Sequence, residues 1–201
     1  MISGRPYRVQ LCFPRKRMVF FSMLGLLALG LQPAAATRLA GVNMPLTETV
    51  GTTKLVLNGI GLRTYSMLGI HIYVAGLYLQ QPSHDANAIL ASPGIKLVQM
   101  HFVHNVGVAA MRGAWRRGLM KNCVAPCVLS QSLLAQFLAA LRPVSAGENV
   151  TIEFRPDGAQ AYYNGVSVGY INDPSFARLM LAVFIGQNAT VPSLKRALLG
   201  N

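Results

Sequence analysis

Acidic residues are scarce in this chain: six Asp and Glu stand against 18 Lys and Arg among 201 residues. None of the six forms an obvious pair, so the paired carboxylates of acid–base catalysis have no candidate. Cysteines are few, three in all, and no second Cys or His pair lies near them, which argues against a metal site. His71, His101 and His104 share no metal spacing. His101 and His104 are an odd number apart in a strand-like run, so they point to opposite faces while the strand lasts. The nucleophile elbow G-x-S-x-G, the phosphate loop G-x-x-x-x-G-K-S/T and the zinc motif H-E-x-x-H are missing. No cofactor is expected. The uncharged apolar run Met18 to Leu31 has 14 residues, whereas a membrane-spanning helix needs about 20.

That run is instead the middle of a leader. Arg15-Lys16-Arg17 precedes it, Gln32-Pro33 breaks it, and Ala34-Ala35-Ala36 supplies small residues where a signal peptidase reads. A signal peptide over residues 1–36 is expected, removed after Ala36; the alternative is an uncleaved anchor. Cys12 lies ahead of the apolar run, so no lipoprotein site exists, and Lys16-Arg17 before Val19-Phe20 is a poor twin-arginine match. Ordinary secretion follows, with a periplasmic or secreted product. The leader holds Arg5, Arg8, Arg15, Lys16 and Arg17 and no acid, so the rest keeps 13 basic and 6 acidic residues, a net charge of +7. Apart from Arg116-Arg117 and Lys195-Arg196 these charges are scattered singly. Nucleic-acid binders cluster them with interleaved aromatics, so no nucleic-acid role is expected. A basic surface in the cell envelope favours anionic lipids or anionic small molecules.

Residues 37–201 are enough for one domain with a sound core. Cys123 and Cys127 fall inside it, either as a local disulfide or as two buried thiols. Thr53 to Leu57 and Leu62 to Met67 read as strands about a turn at Asn58-Gly59. Ile70 to Gln80 reads as a long strand, with Gly76 marking a bulge or a close approach. Ser83 can cap a short helix from His84 to Ala91. Lys96 to Val103 alternates with period two. Val108 to Asn122 is a helix with Met111, Trp115 and Leu119 on one face, and Leu129 to Leu141 is another. Asn149 to Phe154, Ala159 to Tyr163 and Val166 to Ile171 are strands joined at Pro156-Asp157-Gly158 and Asn164-Gly165. Asp173-Pro174 opens a helix to Ile185. A last helix runs from Pro192 to a Gly200 cap. Hairpins of strands with paired helices indicate an α+β fold, helices laid on one face of an antiparallel sheet.

Leu57 to Leu79 reads LNGIGLRTYSMLGIHIYVAGLYL. Within it are Gly59-Ile60-Gly61-Leu62-Arg63 and Gly76-Leu77-Tyr78-Leu79. Trp115 to Cys123 reads WRRGLMKNC, and Phe176 to Leu199 contains Ile185-Gly186 and Pro192-Ser193-Leu194-Lys195. In this order and spacing the segments resemble the chalcone isomerase family, best its bacterial exported branch, from about Gly51 to Gly200. The resemblance implies a chalcone isomerase-like open β-sandwich with a ligand cleft between sheet and helices. In the plant enzymes an Arg holds the substrate phenolate, while Tyr and Thr hydroxyls with ordered water stabilise the developing enolate. In fatty-acid-binding relatives the Arg grips a carboxylate.

By that resemblance Arg63 falls on the family Arg, a bidentate guanidinium suited to a phenolate or carboxylate. Tyr73 stands where the plant enzymes have Thr, and Asn122 on the family Asn. Trp115 occupies the position of the catalytic Tyr, and indole has no hydroxyl. Val183 sits at a second hydroxyl position and has none either. The family's active-site Lys is not matched here to any basic residue, and the loop between Arg63 and Gly76 is about two residues shorter than in the plant enzymes. The anion anchor is thus kept while the groups that stabilise the transition state are lost. Binding needs only ground-state contacts; rate needs those made in the transition state. The expected function is an exported, non-catalytic protein that binds a small amphipathic carboxylate such as a fatty acid through Arg63, Tyr73, Trp115 and Asn122. The alternatives are an isomerase of chalcone type, and a structural or partner-binding protein whose cleft is plugged by side chains.

Overall fold

Two kinds of local signal set the frame: runs of β-branched and aromatic residues that pleat, and caps that start helices. The computed structural model describes residues 35–65 and 69–201. The expected signal peptide lies outside the described residues, except for Ala35 and Ala36. A short hairpin, β1 (Ala36–Leu39) with β2 (Val42–Pro45), comes first. Seven strands then pair in chain order as one antiparallel sheet: β3 (Thr47–Val50), β4 (Thr53–Tyr65), β5 (Ile70–Leu79), β6 (Lys96–Phe102), β7 (Asn149–Arg155), β8 (Gly158–Tyr163) and β9 (Val166–Ile171). Between and after them lie α1 (Ala86–Ala91), α2 (Val108–Asn122), α3 (Gln131–Ala140), α4 (Pro174–Ile185) and α5 (Pro192–Leu198).

Period-two alternation gives each strand two faces, and on the central strand β5 both are buried. On β5, Tyr73, Ala75, Leu77 and Leu79 face the helices and join Trp115, Phe137, Phe176 and Phe184. Val74 and Tyr78 face the other way, where Val42 and Met44 of the β1–β2 hairpin cover them. The expected layer of helices on one face is therefore present, and the hairpin adds a partial cover on the opposite face. Gly76 marks a close approach rather than a bulge: a Cβ there would lie 2.9 Å from the Met44 Cε. The unit from Ala34 onward closes both cores with its own residues.

The expected turn at Asn58-Gly59 is corrected by the structure. β4 runs through it as one strand of 13 residues, with a register shift between Leu57 and Gly59. The reason is packing. A Cβ on Gly59 would sit 2.2 Å from the Ala197 carbonyl oxygen, and one on Gly61 2.7 Å from the Leu194 Cδ1. The glycines form the bed of α5, not a reversal. Asn58 fastens the same junction, donating to the Ser83 oxygen (3.0 Å) and the Leu198 oxygen (2.9 Å) and accepting from the Ser83 N–H at 2.7 Å. Helix α1 is capped by Asp85, not Ser83, through the Asn87 and Ala88 N–H groups. A carboxylate there satisfies two orphan donors. The Asn164-Gly165 turn holds, with φ of 48° and 79°, as does the Asp173 cap with Pro174 at the first turn of α4.

Tyr78 gives the hairpin side of the sheet a pH dependence. Its hydroxyl donates to the Pro45 oxygen at 3.0 Å. Burial pushes it well above the ordinary 10.0, and the Glu48 carboxylate adds to the shift. A group raised on folding contributes stability that is fully present below its unfolded value and lost as pH rises through the folded one. Stability is therefore expected to hold to about pH 10 and fall above it. Denaturant unfolding at stepped alkaline pH should show this, and Tyr78→Phe should flatten part of the decline.

Candidate functional site

The site begins at a cross-strand pair. In the β4–β5 register Arg63 is opposite Tyr73, and the Arg63 guanidinium carbon lies 5.8 Å from the Tyr73 ring centroid. Tyr73 is 8 % exposed and packs at 5.1 Å against the Phe102 ring. Burial pushes its hydroxyl upward, and the Arg63 charge pulls against that shift. The result at neutral pH is a protonated phenol, a hydrogen-bond donor beside a cation. Arg63 is half-buried, so its charge stays accessible from the cleft.

Helix α2 forms the opposite wall. Its apolar stripe turns Met111 and Trp115 toward the sheet, and Trp115 stands edge-on to Phe137 of α3 (5.0 Å) and Phe184 of α4 (5.6 Å). Between sheet and helices is a cavity of about 580 Å³. Its body is apolar, with Met100, Phe102, Ile152, Phe137 and Phe184 among the residues that line it. Arg63, Tyr73, His104, Arg117 and Tyr163 bring polar groups to it, and no carboxylate lines it. Among the described residues the single ion pair is Arg155 with Glu153, so neither cavity arginine is neutralised by an acid.

Arg117 escaped the sequence reading, which saw only the Arg116-Arg117 charge pair. The signal was Gly113, one helical turn earlier. A Cβ at Gly113 would lie 3.1 Å from an Arg117 guanidinium nitrogen, so the missing side chain gives the arginine room to fold back along α2. A mid-helix glycine costs about 1 kcal/mol against alanine; here the space is used.

The structure brings Arg63, Tyr73 and Trp115 to one cavity and leaves Asn122 out. Asn122 donates to the Gly118 oxygen (2.9 Å) and the Asn188 oxygen (3.0 Å), tying the end of α2 to the loop between α4 and α5. It is not among the residues that line the cavity, and its amide N–H groups are taken up by those two carbonyls. Val183 lines the cavity and packs its methyls against Gly118. Leu119, Leu179 and Met180, which the helical stripes offered as lining, are core. His104 faces the cavity while His101 bonds Asn149 at 2.9 Å. Cys123 and Cys127 form a disulfide, Cα atoms 5.2 Å apart, just beyond the end of α2. Among the described residues no group of His, Cys, Asp and Glu is arranged to hold a metal.

No curated protein matches the sequence. Among solved structures, a fatty-acid binding protein of Arabidopsis thaliana superposes on this fold with a TM-score of 0.68 at 15 % identity, over 82 % of this chain and 96 % of that one. At that identity the likeness is one of fold: a curled antiparallel sheet with helices on one side. The family model described as chalcone isomerase-like matches residues 36–200, all but three residues of the unit from Ala34 onward. The chain belongs to the chalcone isomerase-like family.

Proposed function

We propose that the chain binds a small amphipathic carboxylate, such as a fatty acid, and does no chemistry on it. The observation that carries this is the cavity: apolar through its body, positively charged at Arg63 and Arg117, and free of carboxylates. Its volume falls in the range of small-molecule sites, roughly 300–1,000 Å³. The head group lies at Arg63 and the Tyr73 hydroxyl, and the tail runs past Trp115 toward Phe137 and Phe184. A plugged cleft, the structural alternative, would have put a large side chain over Arg63; a cavity adjoins it instead. Isomerisation asks for hydroxyl donors on the far wall. Trp115 and Val183 supply none there, and losing one positioned donor typically costs on the order of a hundredfold in rate. The Arabidopsis thaliana protein that shares the fold is a fatty-acid binding protein, which is consistent with the same use of the cleft here. With its leader in residues 1–36, this binder works in the cell envelope or outside the cell.

Native mass spectrometry of residues 34–201, with organic extraction, tests the reading. A co-purified carboxylic acid that is absent from Arg63→Ala is the expected result. An empty protein that refuses added palmitate and oleate would overturn it.

A further inference from the structure

No Asp or Glu occurs between Asp85 and Glu148, a stretch that holds Lys96, Arg112, Arg116, Arg117, Lys121 and Arg142. Most of that positive charge lies on α2, and its outer face shows Arg116, Arg117, Met120 and Lys121 to solvent. Immediately beyond it comes Val124-Ala125-Pro126-Cys127-Val128, five uncharged residues in a row, every one exposed. Val128 is 92 % exposed, Met120 61 % and Val124 60 %. Scattered exposed apolar residues need no explanation, whereas a contiguous set does.

Part of the loop's backbone is already paired within the protein. An unpaired peptide group is costly in an apolar medium. Here the Val124 N–H donates to the Asn122 oxygen at 3.1 Å and the Cys127 N–H to the Val124 oxygen at 3.0 Å. Pro126 has no N–H to satisfy. Cys127 spends its thiol in the bond to Cys123, which also holds the loop in one shape. An apolar tip with a partly paired backbone, set one turn from a row of cations with no acid among them, has the pattern of a membrane-surface anchor.

We infer that this tip docks the protein on an anionic bilayer. Val124 and Val128 enter the interface, and Arg116 and Lys121 lie among the lipid head groups. The charge selects the occupant: a neutral apolar partner would leave two cations unanswered. The inference does not depend on what fills the cavity.

Flotation of residues 34–201 with vesicles tests it. Two compositions are compared: phosphatidylcholine alone, and phosphatidylcholine with roughly a third phosphatidylglycerol. The wild type is expected to float with the anionic vesicles only and to be released by about 0.5 M salt, which screens such contacts. Each Lys or Arg near an anionic surface strengthens partitioning about fivefold. Arg116→Gln with Lys121→Gln should therefore weaken it on the order of thirtyfold. Val124→Ser with Val128→Ser should weaken it without altering the salt response. Neither pair lines the cavity, so bound carboxylate, measured on the same samples, should be unchanged; this separates failure here from failure of the ligand reading. A wild type that stays unbound, that floats equally with neutral vesicles, or that floats undiminished in both variants overturns the inference.

Discussion

Arg63→Ala is expected to weaken binding of a long-chain carboxylate between about tenfold and a hundredfold. A hydrogen bond to a charged group contributes about 1.5–3 kcal/mol net, and the two parallel N–H donors of a guanidinium match a carboxylate. Arg63 lies on a strand opposite a buried Tyr, so its position is fixed before the ligand arrives. Displacement of a fluorescent fatty acid would read the affinity. Arg63→Lys should recover only part of the loss, because an ammonium keeps the charge without the fork. Arg117→Ala should cost a few-fold at most and vanish in salt, since its head is exposed and screened. Asn122→Ala supplies the contrast: it unties the α4–α5 loop and lowers stability, while affinity holds. Unchanged affinity in Arg63→Ala would remove the anchor from the proposal.

The second large effect concerns a residue remote from any ligand. Gly59→Ala should destabilise the domain by about 3 kcal/mol or more, at the upper end of overpacking costs. Its new Cβ would meet the Ala197 oxygen at 2.2 Å and the Leu198 oxygen at 2.5 Å. These are backbone atoms and cannot rotate away, so α5 must lift. For a domain of this size each kcal/mol shifts the melting temperature by about 2–4 °C, so a drop of about 10 °C is expected by calorimetry. Gly61→Ala is the milder partner. It meets the side chains of Leu194 and Ala197, at 2.7 and 2.9 Å, and the leucine can turn. Thr190, Val191 and Leu194 line the cavity, so lifting α5 should loosen ligand binding as well. A Gly59→Ala protein that melts like the wild type would mean α5 does not seat as described.

These two residues also show how far the sequence could be read. Helices α2 and α4 and the last three strands were legible because their signals are local: a polar cap before proline, an Asn-Gly turn, a stripe every four residues. Arg63 and Tyr73 stood out through the family resemblance, and the β4–β5 register places them opposite each other. Asn58-Gly59 misled because the same dipeptide that favours a turn also leaves room for a helix, and that helix comes 140 residues later. The β1–β2 hairpin gave only half a turn signal: Gly41 takes a φ of 84°, but Ala40 takes 47° where Asn or Gly would complete the pattern. Asn122 sat at a family site position, yet its amide is spent on two carbonyls. Arg117 needed a fact invisible in one dimension, that a missing Cβ one turn earlier is filled by its own guanidinium.

The seat of α5 carries a consequence for how the molecule comes into being. Synthesis proceeds from the N-terminal side, and early segments begin to collapse while later ones are still being made. Here the strand bearing Arg63 waits for Leu194, Ala197 and Leu198, and the His84 ring waits for the Leu199 carbonyl. Until residue 199 has left the ribosome the cavity lacks a wall and β4 presents an uncovered trough. The proposed ligand site is thus complete only once α5 has been made, and a nascent chain that stops short of it stays open to whatever machinery handles it.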